Sequence, residues 1–194
     1  MREENSSKIR LAIFASGSGS NAEAIVAHFK NHPTIKVEMI VTNRERAGVI
    51  DRAKRLGIPY TLIPKSTFDN KDAVLKVLEE ANIDWIILAG WLLLIPTYLV
   101  QSFPDRIINI HPALLPKFGG KGMYGMHVHQ AVVDAQESES GITIHLVNER
   151  FDDGRILAQY KFPLPANATA EDVEAGVRQL EISNYAAEIE KSVL

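Results

Sequence analysis

The chain has 194 residues, with 21 basic and 24 acidic side chains and no cysteine. This length is enough for one domain with a full hydrophobic core. The nearly balanced charge of −3 argues against binding of nucleic acid through bulk positive charge, and the lack of cysteine excludes disulfides and thiolate chemistry. The polar start, MREENSSKIR, lacks the apolar core of a signal peptide, so we expect a cytoplasmic protein in which residues 1–8 are disordered.

The most apolar segment, 85–96 (WIILAGWLLLIP), is too short to cross a bilayer, which requires about 20 apolar residues. A buried parallel strand that continues into a loop explains it better. The sequence has no internal repeat, low-complexity tract or linker. We therefore expect a single domain, 1–194, that is bound to neither membrane nor nucleic acid.

Apolar, β-rich segments alternate with helical patterns over the first part of the chain. The segments predicted as strands are 9–15, 35–42, 59–64, 84–90 and 106–110. The segments predicted as helices are 20–32, 46–57 and 69–82. Gly57 is a predicted helix stop, and Asp69 is a predicted N-cap. Repeated β-α-β units predict an α/β fold with a doubly wound, mostly parallel sheet and right-handed crossovers.

The pattern changes after about residue 140. Two further strands, predicted over 141–148 and 155–164, are too close in sequence for a helix between them, so we expect an antiparallel pair that extends the sheet. The last segment, 169–194, is predicted as a long C-terminal helix. Thr169 and Asp172 at its start resemble a capping box whose acid is shortened by one carbon.

Ligands of open α/β sheets bind in loops at the carboxyl ends of the strands. The first such loop, ASGSGSNAEAI, combines Gly17 and Gly19 with small polar side chains and a helix start that favours an anion. The third glycine of a dinucleotide fingerprint is missing, and Asn43 and Arg44 stand where an acidic residue would hold a ribose. This pattern predicts a phosphate site rather than a dinucleotide site, although a tight turn without a ligand is equally compatible with it.

A second loop begins after Asn109 and His111, in the stretch INIHPALLP. Residues two apart on a strand point to the same side, and the two prolines stiffen the following loop. A lone histidine in such a place is more often structural than catalytic. The later stretch FDDG, however, adds Asp152 and Asp153 at a strand end that can face the imidazole. Pattern alone leaves these two carboxylates equal as its partner.

The residue types of this set favour one kind of chemistry. A carboxylate beside an imidazole favours the protonated ring and raises its pKa, which suits a general acid near neutral pH. An asparagine amide can donate a hydrogen bond to a developing oxyanion. If the attacking group is an amine of the substrate, no serine or cysteine nucleophile is needed. The set therefore suits acyl transfer to an amine through a tetrahedral oxyanion.

The motifs SGSGSN, LAGW, NIHPALLP and FDDG, in this order and spacing, resemble those of the formyltetrahydrofolate-dependent formyltransferases over about residues 9–185. The SGSGSN loop narrows the resemblance to the phosphoribosylglycinamide formyltransferases of purine synthesis. The resemblance implies a Rossmann-like formyltransferase fold. It also implies transfer of the formyl group of 10-formyltetrahydrofolate to the amine of glycinamide ribonucleotide, with no metal.

The resemblance implies roles for individual residues as well. Asn109 would bind the formyl oxygen, His111 would be the general acid, and Asp152, favoured here over Asp153, would hold and charge it. The residues implied in ribonucleotide binding are Gly19, Ser20, Asn21, Arg178, Gln179, Leu180 and Glu181. The residues implied in folate binding are Lys71, Leu92, Leu93, Leu94, Ile95, Asn109, Asn148, Glu149, Arg150, Phe151 and Asp152.

The sequence departs from the family pattern at two places. The loop 117–127 is longer and richer in glycine than in some relatives, so we expect a flexible flap there. Leu93 stands where some relatives carry arginine, which leaves that wall of the folate pocket less polar. Neither departure touches the expected catalytic set.

Several alternatives stay open. The HVH stretch, 127–129, is weak evidence for a metal and is more typical of a helix start. His145 either satisfies a hydrogen bond near the site or supports catalysis. A formyltetrahydrofolate hydrolase or a methionyl-tRNA formyltransferase would be expected to carry an extra domain, and a non-catalytic nucleotide-binding module would not need the Asn–His–Asp set. The apolar face of the C-terminal helix permits a homodimer.

Overall fold

The computed structural model describes residues 8–194. The disorder expected for residues 1–8 thus lies, apart from Lys8, outside the described residues. The chain divides into two compact units, one ending at Trp91 and the other beginning at Leu92. Within the described range, no helix is long and apolar enough to span a membrane.

The first unit is a parallel α/β layer. Its strands are β1 (Ile9–Phe14), β2 (Ile35–Thr42), β3 (Tyr60–Leu62) and β4 (Trp85–Leu88). Its helices are α1 (Ser20–Phe29), α2 (Gly48–Leu56), α3 (Lys65–Phe68) and α4 (Lys71–Glu80). The strands lie in the order β3-β2-β1-β4, and all three pairings are parallel. The last four residues of β1 are fully buried, as is typical of a parallel strand covered on both faces.

Three helices of this unit are each shorter than predicted, and one cap differs. The N-cap of α4 is Asn70, whose side chain accepts a hydrogen bond from the N–H of Ala73 at 3.1 Å, so the prediction of Asp69 as N-cap was wrong. Asp69 instead ends the short helix α3, which the sequence pattern did not predict. The helix α1 ends at Phe29, three residues before the predicted end. Gly57 ends α2 as predicted, in a left-handed conformation with φ of 68°.

The second unit contains the antiparallel strands. They are β5 (Ile107–His111), β6 (Glu139–Leu146) and β7 (Ile156–Pro163). The helices are α5 (Thr97–Ser102), which was not predicted, α6 (Met126–Asp134) and α7 (Ala170–Val193). The predicted antiparallel pair is present as β6 and β7, and β6 is also antiparallel to β5. The capping box of Thr169 and Asp172 is confirmed at the start of α7.

The register between β5 and β6 positions polar side chains at the end of β5. Asn109 is paired with His145, and His111 is paired with Thr143. Directly opposed residues of an antiparallel pair project from the same face. Two of the histidines and the asparagine therefore lie side by side, although they are up to 36 residues apart in sequence.

Candidate active site

A cluster of four polar side chains lies where β5 ends: Asn109, His111, His145 and Asp152. Both oxygens of the Asp152 carboxylate take part. The Oδ2 atom lies 3.5 Å from His111 Nδ1, and the Oδ1 atom lies 3.7 Å from His145 Nε2. Asn109 Nδ2 donates to His145 Nε2 at 3.0 Å and to Asp152 Oδ1 at 3.5 Å. We call these residues the His–Asp cluster.

Asp152 reaches the cluster from the loop between β6 and β7. Its backbone φ is 52°, in the left-handed region that aspartate adopts more readily than most residues. The N–H of Gly120 donates to Asp152 Oδ2 at 2.9 Å, which fixes the carboxylate from the opposite loop. The adjacent Gly154 lies so close to the backbone of Leu146 that an added Cβ would come within 1.7 Å of its carbonyl oxygen. The FDDG turn thus requires glycine at that position.

Asp153 does not face the histidines. Its Oδ2 atom pairs with Arg150 Nη2 at 2.8 Å and accepts from Asn148 Nδ2 at 3.2 Å. Its side chain is 45% exposed, whereas that of Asp152 is 11% exposed. The geometry therefore separates two carboxylates that the sequence pattern left equal, and it selects Asp152 as the one beside His111.

Burial is the largest single influence on the pKa values of both His111 and Asp152. Burial lowers the pKa of His111 and outweighs the raising effects of the Asp152 charge and of the Phe118 carbonyl. The Asp152 charge raises the His111 pKa, as expected, but the net pKa is lowered because desolvation of the imidazolium is the larger effect. Burial by itself would raise the pKa of Asp152, but hydrogen bonding to His145, the His111 charge and the Gly120 N–H together lower it.

Backbone carbonyls fix the orientation of both rings. His111 Nε2 donates to the carbonyl oxygen of Phe118 at 2.8 Å, so Nδ1 is the nitrogen that faces Asp152. His145 Nδ1 donates to the carbonyl oxygen of Leu146 at 2.8 Å. The Nε2 atom of His145 then lies 3.0 Å from the amide nitrogen of Asn109, within hydrogen-bond distance. The orientation of Asn109 is thereby determined by a residue of the neighbouring strand.

The loop that follows His111 is anchored at its base by Thr143. The Thr143 hydroxyl donates to the Ala113 carbonyl at 2.7 Å and accepts from the N–H of Leu115 at 2.9 Å. Gln159 Nε2 donates to the Leu115 carbonyl and to the Thr143 oxygen, each at 2.9 Å. The loop after β5 is therefore held by Thr143 at residues 113–115. Its glycine-rich continuation contacts the cluster through the Phe118 carbonyl and the Gly120 N–H.

The predicted phosphate loop lies in the first unit, between β1 and α1. Gly19 is the N-cap of α1, with φ of 81°, and no side chain caps the helix. An added Cβ at Gly19 would lie 2.5 Å from Val49 Cγ2, so both the backbone conformation and the packing require glycine. The loop therefore ends at an uncapped helix N-terminus, as an anion site requires. Gly19, Ser20 and Asn21, predicted to bind a phosphate, all belong to this turn.

The other predicted binding residues occupy several elements. Arg178, Gln179, Leu180 and Glu181 follow one another on α7, where Arg178 and Gln179 are exposed and the other two half-buried. Lys71 is exposed at the start of α4. Ile95 is buried and Leu94 is 43% exposed, in the loop before α5. Glu149, Arg150 and Phe151 are exposed in the loop that carries Asp152. The binding roles of these residues stay predictions.

The HVH stretch belongs to the first turn of α6. His127 is exposed beside Tyr124, with ring centroids 5.9 Å apart, and His129 is buried. Across residues 8–194, no group of three or more histidine, aspartate or glutamate side chains has the arrangement needed to hold a metal ion.

Three contributors to the cluster were not assigned from the sequence. His145 contacts both Asn109 and Asp152, and its alternation with Thr143 on the buried strand β6 places both side chains on the same face. Phe118 and Gly120 contribute only backbone atoms. Because any residue supplies a carbonyl or an N–H, no side-chain pattern could have identified those two.

Comparison with known proteins identifies the family of the chain. A family model described as formyl transferase matches residues 9–189. The chloroplastic phosphoribosylglycinamide formyltransferase of Arabidopsis thaliana is 43% identical over 182 residues, which are 91% of this chain and 62% of that protein. The chain thus spans about three fifths of the length of this relative. The phosphoribosylglycinamide formyltransferase of Bacillus subtilis is 35% identical over 187 residues, 94% of this chain and 93% of that protein.

Solved structures agree on the fold. The crystal structure of phosphoribosylglycinamide formyltransferase from Bacillus halodurans matches with a TM-score of 0.84 and 36% identity, over 94% of each chain. This likeness confirms the predicted fold class, a doubly wound, mostly parallel α/β sheet with antiparallel C-terminal strands and a long C-terminal helix. With the family match over residues 9–189, it follows that the chain belongs to the formyl transferase family.

Proposed function

We propose that this protein transfers the formyl group of 10-formyltetrahydrofolate to the amine of glycinamide ribonucleotide, the formylation step of purine synthesis. The products are formylglycinamide ribonucleotide and tetrahydrofolate. The observation that carries the proposal is the His–Asp cluster, in which an amide, a buried imidazole and a carboxylate meet without a nucleophilic side chain. Such a set suits a reaction in which the substrate amine is the nucleophile. The names of the relatives in Arabidopsis and Bacillus support the choice of substrates.

The chemistry needs one bond to form and one to break. The amine nitrogen attacks the formyl carbon and gives a tetrahedral oxyanion. The Asn109 amide stabilises that oxyanion by donating a hydrogen bond, and His111 mediates the transfer of a proton from the attacking amine to the leaving nitrogen of the folate. Asp152 holds the ring by its Nδ1 side and stabilises the imidazolium that forms. The carbon–nitrogen bond to the folate then breaks, and tetrahydrofolate leaves.

In this conformation, His111 Nε2 donates a hydrogen bond to the carbonyl oxygen of Phe118. We propose that a bound substrate takes the place of this carbonyl, so that the proton becomes available to the reaction. The four glycines at 119, 120, 122 and 125 give the loop the backbone freedom that such a displacement needs. This assigns the glycine-rich loop 117–127 the role of a flap over the His–Asp cluster.

The proposed binding residues follow from the family resemblance. The backbone N–H groups of Gly19, Ser20 and Asn21 bind the phosphate of the ribonucleotide, and Glu181 binds its ribose hydroxyls, with Arg178, Gln179 and Leu180 beside it. The folate contacts come from Lys71, from the loop that includes Leu92, Leu93, Leu94 and Ile95, and from Asn148, Glu149, Arg150 and Phe151.

The test is a spectrophotometric assay with the whole chain. Purified protein is mixed with 10-formyl-5,8-dideazafolate and glycinamide ribonucleotide, and release of the deformylated folate is followed by absorbance. We expect release only when the ribonucleotide is present, and none in an Asp152→Asn variant that melts at the wild-type temperature. Release without any amine would indicate a hydrolase, and no release at all would indicate a non-catalytic binding module. Either of these two results contradicts the proposal.

Three further proposals concern the protein as a whole. We propose that residues 1–194 form a single formyltransferase domain, which predicts one cooperative unfolding transition in calorimetry. The proposed location is the cytoplasm, which fractionation of cells that express the protein tests. The proposed assembly is a homodimer, which light scattering tests directly, a monomer mass being the contrary result.

A further inference from the structure

The phosphate loop is held by the helix that follows the next strand, α2, and not only by its own helix. The N–H of Val49 donates to the Gly17 carbonyl at 3.1 Å. Arg52 Nε donates to the Ser18 carbonyl at 2.8 Å. Two consecutive carbonyls of the loop therefore point toward the first turns of α2. Only glycine at position 19 allows the loop to lie this close to α2, because a Cβ there would collide with Val49.

The direction of these two carbonyls decides where the next two amides point. In a planar trans peptide, the C=O of one residue and the N–H of the next point in opposite directions. The only cis peptide among the described residues joins Leu115 and Pro116, so both peptide units of the loop are trans. The N–H groups of Ser18 and Gly19 thus point away from α2. Neither has a hydrogen-bond partner within residues 8–194.

Arg52 also neutralises the charge of Glu23, which would oppose anion binding. Glu23 lies in the first turn of α1, where its carboxylate would repel a phosphate at the helix N-terminus. Arg52 forms an ion pair with Glu23 Oε2, and Arg55 Nη2 pairs with Glu23 Oε1 at 2.6 Å. Arg55 pairs with Glu23 but makes no hydrogen bond to residues 15–20 of the loop. Arg52 therefore both holds the Ser18 carbonyl and pairs with Glu23, whereas Arg55 only pairs with Glu23.

We infer that Arg52 is a positioning residue for phosphate recognition: its bond to the Ser18 carbonyl aims the Ser18 and Gly19 amides at the phosphate of the substrate. The inference rests on the proposed function in its choice of ribonucleotide. The residue itself does not touch the substrate. Its loss is expected to weaken phosphate binding about tenfold, the effect of one charge-assisted hydrogen bond, while the chemical step is unaffected.

The test uses Arg52→Met, which keeps the aliphatic stem of the arginine and removes its donors and charge, with Arg55→Met as matched control. Binding of ribose 5-phosphate is measured by calorimetry, and kcat and KM are measured with glycinamide ribonucleotide. For R52M we expect about tenfold weaker binding and about tenfold higher KM for the ribonucleotide, with kcat and the folate KM within about twofold. For R55M we expect all values within about twofold of wild type, and for both variants a folded protein by melting curve.

A Glu23→Gln background separates aiming from charge neutralisation. If Arg52 aims the amides, adding R52M to E23Q still weakens ribose 5-phosphate binding about tenfold. If binding is then unchanged, Arg52 acts only on the Glu23 charge and the inference is wrong. It is also wrong if wild type fails to bind ribose 5-phosphate, or if R52M lowers kcat and spares KM. Binding by wild type without any turnover would refute the proposed function and leave the inference about Arg52 intact.

Discussion

Two loops at strand ends, one after β1 and one after β5, use different parts of the chain for their proposed roles: backbone groups in the first and side chains in the second. The loop after β1 exposes backbone N–H groups and depends on a glycine that packs against Val49. The loop after β5 surrounds buried ionisable side chains and depends on hydrogen bonds from β6 and β7. A backbone-built site fails when a Cβ is added, whereas a side-chain site fails when a partner is removed. Substitutions that add a Cβ and substitutions that remove a partner should therefore have different effects at the two loops.

The largest expected effect is at the side-chain site. His111→Ala or Asp152→Ala should lower turnover at least about a hundredfold, the usual scale for a general acid, with little loss of folding. Steady-state kinetics with glycinamide ribonucleotide measure it. The matched control is Asp153→Ala, whose carboxylate pairs with Arg150 at the surface and should change turnover less than about threefold. Equal losses at the two aspartates would contradict the assignment of Asp152.

The next effect is at the backbone site and compares Gly19→Ala with Gly17→Ala. A Cβ at Gly19 would lie 2.5 Å from Val49 Cγ2 in a conformation with φ of 81°, whereas a Cβ at Gly17 meets no atom within 4 Å. We expect G19A to raise the KM for the ribonucleotide at least about tenfold and to lower the free energy of unfolding by about 1–3 kcal/mol. For G17A we expect changes of at most about 0.5 kcal/mol. Kinetics and urea denaturation measure both, and equal behaviour of the two would refute the steric argument.

A third prediction concerns the anchor of the loop after β5. Thr143→Val keeps the shape of the side chain but leaves the Leu115 N–H and the Ala113 carbonyl without their buried partner. We expect a loss of about 1–3 kcal/mol in the free energy of unfolding, measured in urea. Thr143→Ser retains the hydroxyl and should lose less than half as much. If valine is as well tolerated as serine, the hydroxyl is not what holds the loop.

The smallest effect is a pH dependence from His111. Its folded-state pKa lies below the ordinary value of about 6.5, so as the pH falls through that value the unfolded chain takes up the proton first. Stability should therefore decrease from about pH 7 to pH 5, because the fold holds His111 in its neutral form. The melting temperature of wild type should fall by a few degrees more over this range than that of His111→Asn.

The other groups with a shifted pKa do not account for the difference in melting temperature between wild type and His111→Asn. The pKa of His129 is also lowered by burial, but His129 is present in both proteins. The lowered pKa of Asp152 contributes stability that is lost only in more acid solution, below its ordinary value of about 3.9. Parallel pH curves for wild type and His111→Asn would mean that the burial of His111 does not control its protonation.

The two loops also differ in how far they could be predicted. The turn at 15–20 was identified from the glycine spacing, the missing third glycine and the following helix. Glycine positions report the local backbone conformation, so this signal is present in the sequence itself. The neighbouring strand ends identified Asn109 and His111, because alternation on a strand is also local. The N-cap of α4 was assigned one residue too early, since Asp69 and Asn70 are both good caps and only the short helix α3 decides between them.

The sequence by itself determined the alternation of strands and helices, the family and the residue types at the end of β5. These follow from periodicity, from glycine and proline positions, and from short motifs. Only the tertiary structure decided which aspartate meets His111, that His145 orients Asn109, and that Arg52 holds the Ser18 carbonyl. It also reversed the expected direction of the His111 pKa, because burial depends on the surrounding fold and no local pattern reports how much water a side chain loses.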